Sequence, residues 1–568
     1  MDPALLWQTH YAHPLPWAQQ FPIQSVPEMF AATAARVPDA VAIDFLGRHY
    51  DYAELASGVR RVAAGLAALG IGKGDRIGLY LPNVPHYVAA YYGALSLGAV
   101  VVNFSPLYSV DELCHQVEDS GARLLFTLSA TALLPNALAV LEQTRLERLI
   151  VGSVAGALPA AKSLIYRLFR SGETTPRPHD PRVCAFSTLI DNDGVYAAPA
   201  IDPEADLALL QYTGGTTGIP KGAMLTHQAI TANARQQRLV DPHDGEVDRI
   251  IGVLPLFHIF ANACVLNRTV LGGGEMVLLP RFEAKATLDA IQRTRATALP
   301  GVPTMYRALL DHPACARTDL SSLRVCVSGG APLPVELKEA FEASTGAVLA
   351  EGYGLTESGI AAVNPYEGLN KSGTIGQPMP ATAFRLVDRD DPHRDALDGE
   401  PGEIVIKGPQ IMRGYWNRPE AAADAFVDGW LRTGDVGVID EDGYVRIVDR
   451  LKDMIAVGGF KVFPSQVEQI LYRHPAVREA IVLGVPDLYH GEMPKAFVTL
   501  KPGATAITGE ALRDWLNPQL GKHERVVAVE VRLNLPKTMI GKLSRKELAA
   551  EELARAASGL AADGAAAG

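Results

Sequence analysis

Ten consecutive residues, Thr213-Gly214-Gly215-Thr216-Thr217-Gly218-Ile219-Pro220-Lys221-Gly222, constrain this chain more than any other stretch. They follow an apolar run at 207–212 that reads as a buried strand, and a helical pattern opens near Thr226. Glycine lets the backbone turn tightly and bring its N–H groups close to an anion. The threonine hydroxyls add donors, and Lys221 adds a full positive charge. This is the chemistry of a loop that holds polyphosphate. It is not a Walker A loop, which needs Gly-Lys followed by Ser or Thr. Here Pro220 precedes the lysine and Gly222 follows it. By composition alone an ordinary Gly/Thr-rich surface turn is equally open, so the rest of the chain must decide.

At 568 residues the chain exceeds one hydrophobic core, and two or more domains are expected. A hydrophobic content of 48% and a charged content of 20% are those of an ordinary globular protein. The net charge of −11 argues against a nucleic-acid partner, which favours a basic footprint. It leaves a small anion held by local donors open. Cys114, Cys184, Cys264, Cys315 and Cys326 are scattered, without zinc-site spacing, and their odd number fits a reducing cytoplasm. Residues 1–17 lack a charged-then-apolar signal pattern, and no run reaches the ~18 apolar residues of a spanning helix.

Strand and helix patterns alternate over the first 380 or so residues. Strands are expected at 76–80 and 323–328, and helices at 88–97 and 334–344. Strand 323–328, the turn at Gly329-Gly330-Ala331-Pro332 and the helix after it give an open α/β geometry. Residues 385–448 read as a small β-rich subdomain with strands at 403–407, 436–440 and 444–448. The last 115 or so residues read as a compact mixed domain, with strands at 480–485, 496–500 and 526–531. The fold class is therefore α/β with an α+β C-terminal domain. The division expected is residues 1–450 and 451–568.

Five further motifs follow the loop in order. They are Leu254-Pro255-Leu256-Phe257-His258-Ile259-Phe260-Ala261, Glu351-Gly352-Tyr353-Gly354-Leu355-Thr356-Glu357-Ser358 and Asp428-Gly429-Trp430-Leu431-Arg432-Thr433-Gly434-Asp435. Then come Asp449-Arg450-Leu451-Lys452-Asp453-Met454-Ile455, with Gly458-Gly459-Phe460-Lys461 close behind, and Pro536-Lys537-Thr538-Met539-Ile540-Gly541-Lys542. In this order they resemble the adenylate-forming superfamily of acyl-CoA synthetases, luciferases and peptide-synthetase adenylation domains. The resemblance runs from about residue 25 to about 553 and is nearest to bacterial long-chain fatty-acid–CoA ligases.

That resemblance implies a reaction in two steps. A carboxylate attacks the α-phosphorus of ATP to give acyl-AMP and pyrophosphate, and the CoA thiolate then displaces AMP. It implies that Thr213, Gly214, Gly215, Thr216, Thr217, Gly218 and Lys221 hold the β- and γ-phosphates, with Glu357 and Thr213 as contacts of Mg2+. Adenine lies between Tyr353 and Gly330-Ala331-Pro332, within the motif of Glu351, Gly352, Gly354 and Leu355, and Thr356 meets the α-phosphate. Asp435 accepts from the ribose hydroxyls, beside Arg450. Lys542 bridges the attacking carboxylate and the α-phosphate. Lys452 is the hinge of a rotating, mobile C-terminal domain, Gly458 and Gly459 line the pantetheine channel, and Lys461 pairs with a CoA or AMP phosphate. His258 walls the acyl carboxylate, where bare sequence reads an ordinary core histidine. Two departures stand out. Gly214 replaces a common Ser, and Gly521-Lys522-His523-Glu524-Arg525 differs from the relatives' Tyr-Lys-Val-Pro-Lys.

The substrates implied are a medium- or long-chain fatty acid and CoA. A dicarboxylic or aromatic acid is the alternative, as is a carrier protein in place of CoA. Asn103-Phe104-Ser105-Pro106-Leu107-Tyr108 is similar to a branch that includes dicarboxylate ligases. Residues 158–170 join Lys162, Arg167 and Arg170 to Leu164, Ile165, Leu168 and Phe169. Two readings stay open there: peripheral contact at the inner membrane face, or a helix packed on its own domain. A homodimer also stays open.

Overall fold

The computed structural model describes residues 3–169, 171–213, 220–243, 245–397, 399–458, 460–487, 489–501, 503–504, 507–537 and 543–566. Gly214, Gly215, Thr216, Thr217, Gly218, Gly459 and Lys542 lie outside them. The chain divides into two compact units: residues 1–383 with 406–431, and residues 384–405 with 432–568. Residues 432–450 thus go with the second unit, ahead of the division expected at 450.

Two sheets form the first unit. One runs in the order Val183–Ala185, Arg148–Gly152, Ala122–Leu128, Arg76–Leu79, Val100–Asn103, Leu207–Tyr212, Gly222–Thr226. All neighbours are parallel except the last pair, an antiparallel hairpin. The other runs Gln377–Pro378, Gly359–Val363, Val348–Leu355, Val325–Gly329, Ala298–Gly301, Arg249–Gly252, Glu275–Leu278, Val41–Phe45, Arg48–Asp51, with a parallel centre and antiparallel edges. Val100–Asn103 and Ala298–Gly301 are buried along their whole length, as strands covered on both faces must be. The helix Pro85–Ser96 is buried on nearly every side, which explains an apolar pattern without a polar stripe.

Most expected elements are present with shifted ends: strands Arg76–Leu79 and Val325–Gly329, and helices Pro85–Ser96 and Val335–Thr345. After the Gly/Thr loop the helix expected near Thr226 is present, and a strand precedes it. Thr226 caps the helix His227–Leu239 by accepting from the Ala229 N–H, but Gly222–Thr226 is a strand first. The loop therefore joins two strands of a hairpin. Ala223 and Leu225 face the core, and the sheet supplies the ladder that made five residues a strand.

In the second unit, Trp430–Ile439 pairs antiparallel with Val445–Arg450. Val477–Asp487 and Gly491–Leu500 form a long antiparallel pair, and Ala528–Val531 joins it in parallel. Val467, Val482, Val498, Leu512 and Leu516 make its apolar centre. Among the described residues no helix is long and apolar enough to cross a membrane.

His227 is buried behind the hairpin, where its Nδ1 accepts from the Val26 N–H at 3.3 Å. Burial lowers its pKa to about 4, against the opposing charges of Asp206 and Glu28. The unfolded chain binds a proton near pH 6.5, so this contribution is complete above 6.5 and is lost as pH falls toward 4. His227→Asn keeps an acceptor and removes the titration. Urea titrations should show wild type losing about 3 kcal/mol more than the variant between pH 7 and pH 4. Parallel pH curves would exclude His227 as the cause.

Candidate functional site

The site is assembled where parallel strands of both sheets of the first unit end. Four buried side chains tie those ends together. Asn83 donates to the carbonyls of Gly252 and Leu254 at 2.9 and 2.8 Å and accepts from the Leu256 N–H at 2.8 Å. The Tyr87 hydroxyl lies 2.8 Å from Asn103 Oδ1 and 2.9 Å from the Leu256 carbonyl. Asn103 donates to Gln211 at 3.0 Å, and Gln211 donates to the Phe257 carbonyl at 2.9 Å. Sequence reasoning missed this network. Its one signal was an amide inside each of two apolar strands, Asn103 and Gln211. Buried amides are retained where every polar atom is matched.

The network fixes the segment that carries His258. That residue caps the next helical turn, its Nδ1 accepting from the Phe260 N–H at 3.2 Å. Beyond it Asn262–Asn267 is a π-helical turn, a form common at functional sites.

Tyr353 lies on the strand Val348–Leu355 and is 8% exposed. Thr356-Glu357-Ser358 make the turn into Gly359–Val363. A Cβ at Gly354 would sit 2.0 Å from the Gly359 carbonyl, so only glycine fits the bulge there. Gly330, at φ +81°, turns the chain after Val325–Gly329, and Ala331 and Pro332 follow. Glu351 accepts from the Leu333 N–H at 3.1 Å, which ties this turn to the Tyr353 strand. Desolvation pushes its carboxyl up to about 8.

Glu357 meets two partners from the segment 412–415. Its carbonyl accepts from the Met412 N–H at 2.8 Å, and its Oε1 accepts from the Tyr415 hydroxyl at 2.7 Å. Burial, then the Glu357 charge, push the phenol well above its ordinary range, so it stays a donor. Lys221 Nζ lies 5.2 Å from the Tyr415 ring centroid. Tyr415 therefore joins the lysine of the Gly/Thr loop to the carboxylate of the third motif, about 135 residues away in sequence. Glu357 Oε2 accepts no bond from a described residue, which suits a carboxylate that lends one oxygen to a hydrated divalent ion. The Thr213 N–H donates to the Lys221 carbonyl at 2.9 Å and closes the base of the loop. Asp119 holds the same base, accepting from Tyr212 at 2.6 Å and Arg418 at 2.7 Å.

In the second unit Asp435 is nearly buried and accepts from Arg450 Nε at 2.9 Å across the strand pair. Lys452 sits in the short 3-10 turn Leu451–Asp453. Gly458 has φ +56°, and Lys461 pairs with Asp390 at 3.1 Å.

Two family models match the chain: "AMP-binding enzyme" over residues 30–416 and "AMP-binding enzyme C-terminal domain" over 466–542. A long-chain-fatty-acid–CoA ligase of Bacillus subtilis is 40% identical over 96% of this chain and 98% of its own length. A long-chain-fatty-acid–CoA ligase of Escherichia coli is 39% identical over 92% and 94%. A feruloyl-CoA synthase of Amycolatopsis is 38% identical over 90% and 96%. Among solved structures, ATP-bound MatB of Rhodopseudomonas palustris superposes with TM-score 0.81 at 29% identity, covering 93% of this chain and 99% of that one. The anthranilate CoA ligase AuaEII with anthranoyl-AMP gives 0.82 at 28%, covering 94% and 99%.

Tyr415→Phe removes one hydroxyl and leaves the ring beneath Lys221. Loss of a bond to a charged carboxylate at this half-buried position should lower stability by about 1–2 kcal/mol in chemical denaturation. Asp119→Ala, which frees Tyr212 and Arg418 together, should cost more. An unchanged midpoint in Tyr415→Phe would show that the phenol–carboxylate bond carries no net stability.

Proposed function

The chain belongs to the AMP-binding enzyme family, and we propose that it is an AMP-forming fatty-acid–CoA ligase acting on medium- or long-chain acids. ATP and CoA are its co-substrates. The observation that carries this reading is the Tyr415 junction, where the loop lysine and Glu357 meet on one ring.

In the first step the acid's carboxylate attacks the α-phosphorus and pyrophosphate leaves. Two anions must approach, so preorganised cations and N–H donors have to offset their repulsion. Residues 213–218 with Lys221 take the β- and γ-phosphates. Glu357, with Thr213, holds Mg2+, which neutralises phosphate charge when bound. Tyr353 and Gly330-Ala331-Pro332 flank adenine, and Thr356 meets the α-phosphate. Asp435 takes the ribose diol as an acceptor, with Arg450 Nε on its Oδ1. His258 spends Nδ1 on its own helix cap, so it serves as a wall of the carboxylate site rather than through that nitrogen as a base. Lys542 bridges carboxylate and α-phosphate as charge shifts between them.

In the second step the C-terminal segment from Lys452 onward turns, Gly458 and Gly459 line the pantetheine passage, and Lys461 releases Asp390 for a phosphate. CoA then attacks the acyl carbonyl and AMP departs. The protein works in the cytoplasm. Helix Ala160–Phe169 leaves Leu164 and Ile165 60% and 56% exposed beside Lys162, which supports peripheral contact with a lipid surface.

Pyrophosphate release measured against fatty, aromatic and dicarboxylic acids, with and without CoA, tests the reading. Fatty acids should lead, and thioester should appear only with CoA. A preference for ferulate or a short diacid would overturn the choice of acid. Lys542→Ala should lower acyl-AMP formation about a hundred- to a thousandfold, a size typical of losing a preorganised charge contact. Attack of CoA on supplied acyl-AMP should persist. Equal loss in both half-reactions would make Lys542 a structural residue.

A further inference from the structure

In the second unit one arginine reaches three elements that the chain brings from far apart. Arg545 opens the last helix, Arg545–Ala566, three residues past Lys542. Its Nε donates to the Val482 carbonyl at 3.1 Å, on the strand Val477–Asp487. Its Nη2 donates to Glu468 Oε1 at 2.5 Å, on the helix Pro464–Tyr472. Its Nη1 lies 3.5 Å from Asp453 Oδ2, in the turn Leu451–Asp453. Glu468 Oε1 also accepts from the Val482 N–H at 2.7 Å, so the strand, the helix and the guanidinium close on one another.

A cation is out of place at that position. The first residue of a helix meets the positive end of its dipole, which favours carboxylates there. Glu468 and Asp453 offset that opposition, and their side chains are only 14% and 20% exposed. Salt screens part-buried pairs of this kind weakly. A guanidinium carries five N–H donors in a rigid fork, so it serves a carbonyl and two carboxylates at once. An ammonium on a flexible stem does not hold that geometry.

The neighbouring segment is held at both ends. Lys537 and Leu543 pair as an antiparallel bridge, and the Ser544 N–H donates to the Pro536 carbonyl at 2.9 Å. Lys537 Nζ meets Glu479 Oε1 at 2.6 Å, on the strand that also receives Arg545. Leu535, Leu543 and Leu548 pack with Ile481, Leu483 and Phe497. The base on which residues 538–542 begin and end is thus fixed. Lys542 stands at most about 10 Å of chain from Arg545.

In the ligase reading Lys542 acts at the α-phosphate, and the segment beyond Lys452 turns between the two steps. Asp453 is the first residue of that turning segment. A loop base tied to Asp453 moves with the hinge turn rather than after it. The rotation at Lys452 then sets where Lys542 arrives. Catalysis depends on that arrival, since a misplacement of about 1 Å costs about a hundredfold.

We propose that Arg545 is a positioning residue for acyl-AMP formation. It ties the base of the Lys542 segment to the hinge turn through Asp453, and to the C-terminal core through Glu468 and the Val482 carbonyl. This rests on the ligase reading above.

The test separates the half-reactions in Arg545→Lys, which keeps the charge and loses the fork, and in Asp453→Asn, which removes only the charge at the hinge turn. Acyl-AMP formation is followed by pyrophosphate release with the acid that wild type uses best. Thioester formation is followed from supplied acyl-AMP and CoA. Arg545→Lys should lower kcat for acyl-AMP formation about ten- to a hundredfold, and Asp453→Asn about three- to tenfold. KM for ATP and for the acid should stay near wild type, because neither residue holds a substrate. Thioester formation should be kept, since Lys542 takes no part in it. In a Lys542→Ala background neither substitution should lower acyl-AMP formation further, because the effect runs through the missing lysine. A folded Arg545→Lys that loses both half-reactions equally, or whose loss adds in full to that of Lys542→Ala, would make the arginine structural and overturn the proposal. So would an unchanged acyl-AMP rate in Asp453→Asn, which decides alone if Arg545→Lys fails to fold. Failure of wild type to release pyrophosphate with every acid would instead overturn the ligase reading.

Discussion

A few buried amides hold the two sheets of the first unit in one arrangement. Asn83, Asn103 and Gln211, with the Tyr87 hydroxyl, are bonded to one another or to carbonyls between Gly252 and Phe257. Each bond nets only about 1 kcal/mol, but an unmatched buried amide costs more than a matched one gains. The apolar contacts on either side tolerate small slides, and the amides do not. The ends of Arg76–Leu79, Val100–Asn103, Leu207–Tyr212 and Arg249–Gly252 are therefore set against one another within hydrogen-bond tolerance. Carboxyl ends of parallel strands are where α/β sheets present ligands, and here two sheets share one such edge.

From that edge the site follows by attachment. Leu207–Tyr212 delivers Thr213, and its hairpin partner Gly222–Thr226 returns Lys221 to the same place. Val348–Leu355 delivers Tyr353 and the turn with Glu357. The segment 412–416 crosses beside both, bonded to Met224, Gly222 and Glu357, and carries Tyr415 to their junction. A loop of glycines and threonines needs such a frame. Its donors gain from preorganisation only if both ends are held, and Asp119 holds the end at Tyr212.

The π-helical turn Asn262–Asn267 and the helix Arg268–Gly272 pack against helix His227–Leu239. One helix thus begins at the hairpin end Thr226 and runs to the ion cluster around Arg238 and Arg268.

The sequence by itself determined the chemistry and much of the local structure. The motifs around Tyr353, Glu357 and Asp435 stand out in the sequence because their residues lie close together in the chain, and the roles proposed for them rest on the family resemblance. Strands at 207–212 and 325–329 and the helix at 335–345 are legible because apolar periodicity and glycine turns act within a few residues. Other features were decided only by tertiary structure. Gly222–Thr226 became a strand because a neighbouring strand offered its ladder. Residues 432–450 pack with the second unit, where their strand neighbours Gly402–Lys407 and Val445–Arg450 largely lie, while the change of strand pattern near residue 452 is what sets the sequence-based division at 450. Tyr415 met Glu357, and Arg268 met Asp241 and Asp248, across long stretches of chain. Such pairings depend on burial, which no local pattern encodes, since a tyrosine or arginine reads the same in sequence at the surface and at the wall of a cavity.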